Sequence, residues 1–345
     1  MIQEFIYPHP FELESGEKLE QLRIAYSVFG NEQADKVVWV CHALSGNSLV
    51  PEWWGGIFGD DKLFNFNEYK VICANVLGSC YGSTGPDELD NALEFPLITI
   101  RDIVNGHELL RKYLSLEKID VLIGASLGGQ QALEWSISSP DLIENLILIA
   151  TNAVHSPFGK AFNETQRLAL LADPTFGKKQ GGFEGLKAAR AIAMLSYRSY
   201  EDFQLKQSDS DNKIDDYSAS SYVRYQGEKF QKRFKPGAYY TLSKAMDSHD
   251  VGRGRASRID ALYAIQARTL VVGVDSDQLF PLTEQQYLAN NIYNASLGVI
   301  ESPHGHDAFL INYDQLEKII KDFLFNDFNG FKPTTLKPQF VSNEK

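Results

Sequence analysis

The chain has 345 residues, 43% of them hydrophobic and 23% charged, enough for one large core or for a core carrying an insertion. Its 33 basic and 45 acidic residues give a net charge of -12, and no cluster of Lys and Arg is dense enough to make a nucleic-acid face. Three cysteines, Cys41, Cys73 and Cys80, lack metal-ligand spacing, and their odd number argues against a disulfide framework. Cys41 and Cys73 each end an apolar run, so buried thiols are expected. The start, Met1-Ile2-Gln3-Glu4-Phe5, lacks a basic n-region and a long apolar h-region, and no apolar stretch approaches membrane-spanning length. The expectation is a cytoplasmic enzyme with no metal, no nucleic-acid partner and no membrane.

In chain order, residues 1–30 read as antiparallel strands, with Leu22–Phe29 closing on the turn signal Gly30-Asn31. Lys36–Cys41 is a buried strand running into His42-Ala43-Leu44-Ser45-Gly46-Asn47, and Tyr69–Ala74 is the next strand. Ile98–Leu114 repeats its apolar residues at helical spacing and leads to a strand at Ile119–Ile123. There follow Gly124-Ala125-Ser126-Leu127-Gly128 and a helix over Leu127–Ile137, then a short strand at Leu146–Ala150. Strand–turn–helix around Gly-x-Ser-x-Gly is the nucleophile-elbow pattern: a tight turn lifts the serine hydroxyl above the sheet at a helix N-terminus. Free backbone N–H groups and a partial positive charge there suit an oxyanion.

From Ala161 to about Arg258 the chain reads as helices with no convincing buried strand. The β/α pattern returns with strand Thr269–Val274, helix Glu284–Asn291, strand Leu297–Glu301 and a last helix from His306 to about Phe325. The alternation predicts an α/β fold of the α/β-hydrolase type, a mainly parallel sheet covered by helices. Residues 1–160 and 260–330 form the core, 161–259 a helical lid inserted in it, and 331–345 a loose tail.

Two further sites follow the serine in the order such a fold requires, an acid and then a histidine. Asp275-Ser276-Asp277 lies just past a strand end, where sites of open sheets collect, and His304-Gly305-His306 lies between the last strand and the last helix. Such a histidine takes the serine proton and returns it to the leaving group while the carboxylate orients the ring. Spacing alone leaves two aspartates and two histidines. A second oxyanion N–H is expected from the loop His42–Gly46, pairing the Leu44 amide with that of Leu127.

Six blocks resemble the homoserine O-acetyltransferase family: His42–Asn47, Asn75–Pro86, Gly124–Trp135, Tyr225–Phe230, Ser248–Arg255 and Gly305–Leu310. The resemblance runs from about residue 37 to 310. It implies an α/β-hydrolase with a helical lid that dimerises through lid helices. Its activity would be transfer of acetyl from acetyl-CoA, a co-substrate rather than a bound cofactor, to the side-chain hydroxyl of L-homoserine, a step towards methionine. The family's nucleophile falls on Ser126, its acid on Asp277 and its base on His306. Its amino-acid-binding arginine, tyrosine and aspartate fall on Arg190, Tyr197 and Asp307. An arginine suits an α-carboxylate and an aspartate an α-ammonium. Departures are Ser79 and Ala125 for common glycines, Leu127 for methionine and His304 for tyrosine. They leave the triad intact but bear on substrate choice, since relatives use succinyl-CoA, or serine as acceptor. A plain serine esterase shares the triad without needing the other three residues, and a non-catalytic relative would have lost a triad member.

Overall fold

The computed structural model describes residues 1–210 and 212–326, so the expected loose tail at 331–345 lies outside the described residues. The chain opens with strands β1 (Ile2–Tyr7), β2 (Phe11–Glu12), β3 (Lys18–Leu19) and β4 (Leu22–Gly30), then β5 (Lys36–Cys41), α1 (Val50–Trp54) and β6 (Tyr69–Ala74). After α2 (Ile100–Tyr113) come β7 (Ile119–Ala125), α3 (Leu127–Ser138) and β8 (Ile143–Ile149). Five helices follow: α4 (Pro157–Leu171), α5 (Phe183–Tyr197), α6 (Tyr200–Gln207), α7 (Ser218–Gln231) and α8 (Pro236–Asp247). The chain closes with α9 (Arg258–Tyr263), β9 (Arg268–Val274), α10 (Leu282–Asn291), β10 (Ala295–Ile300) and α11 (Tyr313–Phe325).

Eight strands form one sheet in the order β1-β4-β6-β5-β7-β8-β9-β10. From β6 to β10 the neighbours run parallel, and β4 and β1 add an antiparallel edge. Side chains alternate across the sheet, as a period of two requires. Val38, Val40, Val121 and Ile123 join one apolar cluster with Trp54, Phe309, Ile320 and Phe323, so α1 and α11 cover that face. Trp39, Cys41 and Leu122 join the other, with Ile103, Leu133 and Leu288 from α2, α3 and α10. With both faces covered, the central strands are apolar throughout rather than alternating.

One sequence expectation needs correction. The last helix does not begin at His306: Gly305–Leu310 is a 3-10 turn and α11 starts at Tyr313. The Trp54 indole N–H donates to the Phe309 carbonyl at 3.1 Å, drawing that carbonyl away from a continuing helix. The helix α3 is buried all round, from Leu127 to Ile137. Most of its polar groups are satisfied in place, Gln130 Oε1 being the exception among the described residues. Gln131 donates to the His42 carbonyl at 3.1 Å, Gln130 donates to Asn152 at 3.1 Å, and Glu134 pairs with Arg101 and Arg255.

Candidate active site

The site sits where β7 meets α3. Ser126 has φ 56° and ψ -123°, a left-handed value that L residues avoid and that only a strongly held turn maintains. The flanking glycines follow from contact. A Cβ on Gly124 would lie 2.1 Å from the Gly128 carbonyl oxygen, and one on Gly128 would lie 2.0 Å from that of Cys41. Backbone bonds from the Ser126 amide to Ile149 and from the Gln130 amide to Ser126 lock the turn, with the Thr151 hydroxyl donating to the Ser126 carbonyl.

His306 Nε2 lies 2.9 Å from Ser126 Oγ, and its Nδ1 lies 2.7 Å from Asp277 Oδ2. The other Asp277 oxygen accepts the Leu279 and Phe280 amides at 2.8 and 2.9 Å, which fixes the carboxylate. Phe280 stacks on the imidazole with centroids 5.1 Å apart, and Phe309 and Tyr197 hold it from other sides. Burial opposes charge on His306, but Asp277 outweighs it and holds the imidazole above its ordinary pKa. A hydroxyl, a base within reach and an oriented base make a general-base nucleophile unit.

Of the paired candidates, Asp275 accepts the Ser302 amide at 3.0 Å and joins the two loops, while His304 bonds Asp202 at 2.6 Å beside Lys206. Neither faces the serine pair. The Leu44 and Leu127 amides donate to no partner among the described residues. The loop carrying Leu44 is clamped by a residue for which sequence reasoning gave no role. His42, fully buried, donates from Nδ1 to the Ala43 carbonyl at 2.8 Å and accepts the Val76 amide on Nε2 at 3.1 Å. Burial lowers its pKa to about 4, so the ring is neutral and its tautomer fixed.

Arg190 lies over the rings of Phe230 and Tyr197, 4.8 and 5.2 Å from their centroids, and its buried Nε has no hydrogen-bond partner among the described residues. Tyr197 borders His306, centroids 5.8 Å apart, and Asp307 follows His306 in the chain. Asp307 is not free: Arg198 Nε lies 3.1 Å from its Oδ2. Sequence reasoning also missed Glu284, whose carboxyl burial pushes up to about 7 despite a hydrogen bond from Asn152, helped by the nearby Asp277 charge. Neither Glu284 nor Arg198 carries a motif that would separate it from a surface residue. Among the described residues no group of three His, Cys, Asp or Glu side chains could hold a metal, and no helix is long and apolar enough to cross a membrane.

The profile of the α/β hydrolase fold matches residues 36–313. The chain is 46% identical to a homoserine O-acetyltransferase of Cyclobacterium marinum over 96% of this chain and 97% of that one. The chain belongs to the homoserine O-acetyltransferase family. A second relative, from Chlorobium chlorochromatii, is 40% identical over 91% of this chain and 93% of its own. The crystal structure of homoserine O-acetyltransferase from Staphylococcus aureus superposes with a TM-score of 0.83 at 29% identity, covering 96% of this chain and 97% of that chain. Esterase E22 gives the same TM-score at 21% identity, covering 94% of this chain and all of that one, a likeness of fold. Within this family the described geometry supplies a candidate for each part of acyl transfer to an amino acid, from nucleophile to acceptor-binding charges.

Proposed function

We propose that this enzyme transfers the acetyl group of acetyl-CoA to the side-chain hydroxyl of L-homoserine, through an acetyl-Ser126 intermediate. The observation that carries the reading is the Ser126–His306–Asp277 chain at 2.9 and 2.7 Å, bordered by Tyr197, an arginine with an unpartnered buried Nε and an aspartate. His306 takes the Ser126 proton as Oγ attacks the thioester carbonyl, and the Leu44 and Leu127 amides hold the resulting oxyanion. The C–S bond breaks, His306 passes its proton to the departing thiolate, and CoA leaves. Homoserine then gives its hydroxyl proton to His306, its oxygen attacks the acetyl-serine, and Ser126 recovers the proton as the O-acetyl product departs. Arg190 takes the acceptor's α-carboxylate, Asp307 its α-ammonium, and Tyr197 borders it.

Water must be kept from the acetyl-serine for transfer to beat hydrolysis. The helical insertion is suited to this as a lid, since α5 packs on the 3-10 turn carrying His306 and Asp307. Its exposed apolar side chains, among them Phe158, Leu168, Leu171 and Leu195, support pairing of two chains through the lid. A cytoplasmic location suits an enzyme of amino-acid synthesis.

The deciding experiment is thiol release from acetyl-CoA and succinyl-CoA, each with L-homoserine or L-serine. Rapid release with acetyl-CoA and homoserine alone is expected. Release with succinyl-CoA or serine would move donor or acceptor and keep the chemistry. Equal release without any amino acid would make water the acceptor and the enzyme an esterase.

A further inference from the structure

In a chain of net charge -12, the end of α7 and the turn after it read Lys229-Phe230-Gln231-Lys232-Arg233-Phe234-Lys235, four cations and no acid in seven residues. None of these four forms an ion pair with a carboxylate among the described residues, although most other arginines of the protein do. The segment reaches the loop that carries Leu44. Arg233 donates to the Ser45 carbonyl at 2.7 Å, one residue from Leu44, and to the Tyr81 hydroxyl at 3.2 Å. The buried Phe234 ring packs against Phe230, whose ring also lies under Arg190. On the other side of Phe234, Lys235 borders a half-open cleft of about 190 Å³, shared with Lys178, Lys179, Phe176 and Phe183. Lys178 has no carboxylate partner among the described residues, and Lys179 has only an exposed one, Asp90 at 3.3 Å.

A row of cations, most of them without an ion pair, that starts at the oxyanion loop and ends in a cleft lined by aromatic rings is matched to a particular ligand. It must be polyanionic, carry a flat ring, and send a thin neutral arm toward Ser126. We infer that Arg233, Lys235 and Lys178 bind the phosphates of the acyl-CoA donor, with Phe176 and Phe183 beside its adenine. The inference rests on the acetyl-CoA reading above and assigns the donor-binding part of that site. Elsewhere the acidic surface repels such a donor, so the patch both steers and holds it. Asp87 is the one acid lining the cleft among the described residues. Burial pushes its carboxyl to about 6 although Lys235 pulls the other way, which lessens the repulsion at a pH near or below that value.

The test compares two donors, acetyl-CoA and S-acetyl-N-acetylcysteamine, a thioester with the same reacting end and no phosphate. The wild-type enzyme should prefer acetyl-CoA in kcat/KM by a margin that shrinks as salt is raised, because exposed charges are screened. Lys235→Gln with Lys178→Gln should cut that preference about tenfold by raising KM for acetyl-CoA, and adding Arg233→Gln should cut it about tenfold again, at the scale of charge-assisted contacts. Lys235→Arg, which keeps the charge, should retain the preference. If both donors lose activity in parallel, the residues only support the fold and the inference fails. An unchanged KM for acetyl-CoA also overturns it. Should the wild-type enzyme ignore acetyl-CoA and use only the short thioester, the functional reading itself falls, a different outcome from either.

Discussion

Arg198 sits against Asp307, its Nε 3.1 Å from Oδ2, and on its other side Arg198 Nη1 lies 3.4 Å from Asp202. One cation thus bridges α6 of the insertion and the turn that carries His306. The contact with Asp307 is an ion pair without a hydrogen bond from Nε, so the carboxylate keeps acceptor sites for an incoming ammonium. The pairing gives Asp307 a fixed orientation before substrate arrives. Asp307→Asn should raise KM for homoserine about 30-fold, the scale of a hydrogen bond between charged groups. Arg198→Gln should raise it about fivefold by letting the carboxylate drift. Acetyl-enzyme formation, followed as the burst of nitrophenol from p-nitrophenyl acetate, should proceed as before in both. A collapse of the burst would place these residues in the acyl-forming step instead.

The proton path sets a second expectation. His306 must be neutral to take the serine proton, and Asp277 holds its folded pKa above the ordinary 6.5 against the effect of burial. Acylation should therefore climb as pH rises through a value above 6.5 and level off beyond it. Asp277→Asn should move that inflection to lower pH and reduce the acylation rate about 10⁴-fold, since the imidazole loses both its tautomer and its counter-charge. The linked stability has the opposite sense. A histidine raised on folding contributes stability in full below its unfolded pKa and loses it as pH rises through the folded one. An inflection unmoved by Asp277→Asn would show that another group controls the rate.

The elbow offers a test by packing alone. Gly124 and Gly128 leave no room for a Cβ, because backbone carbonyls stand 2.1 and 2.0 Å from where it would sit. Backbone cannot yield as a side chain does. Gly124→Ala and Gly128→Ala should each destabilise the protein by about 3 kcal/mol and abolish transfer, read as unfolding midpoint and CoA release. Gly16, which unlike those two has a positive φ but nothing within 4 Å, is the control, and its alanine variant should cost about 1 kcal/mol from backbone strain only. If Gly128→Ala unfolds like the Gly16 variant, the tight-turn account is wrong.

What the sequence carried and what it hid divide along physical lines. The strands β5, β7 and β9 were legible because a strand covered on both faces is a short unbroken apolar run, and Gly-x-Ser-x-Gly because sterics admit few other residues there. The order serine, acid, histidine located both later loops, but spacing could not separate Asp277 from Asp275 or His306 from His304. That choice depends on which side chain faces the serine, and the family resemblance supplied it. His42 and Arg198 stood in plain view without a role, since their work lies in contacts to Val76 and to Asp307, 34 and 109 positions away by number. The break between the turn at Gly305–Leu310 and α11 was invisible for a similar reason: its cause is an indole from α1.

His42 also makes a prediction about acid. Its ring is neutral in the folded protein down to about pH 4, whereas in the unfolded chain it gains a proton near 6.5. Between those values the unfolded state holds the extra proton, so folding loses stability as pH falls, by up to about 1.4 kcal/mol per pH unit for this one group. His107, His155 and His249 are lowered by burial in the same sense, while Glu284 and Asp87, raised by burial, act against them. Comparing His42→Gln with wild type cancels these shared contributions. At pH 7 the variant should be less stable by about 2 kcal/mol, because the clamp on Ala43 and Val76 is impaired inside the core. On lowering the pH from 6.5 towards 4 the gap should narrow, since only the wild type has a histidine here to protonate on unfolding. Urea unfolding of both proteins at pH 7, 6 and 5 reads the gap directly, and a gap that stays constant would mean that His42 takes up its proton as readily in the fold as in the unfolded chain. The oxyanion loop gives the matching functional reading. With the Leu44 amide loosened, acylation by the variant should slow about 100-fold at pH 7, the scale of one lost oxyanion donor, while homoserine KM stays near its wild-type value.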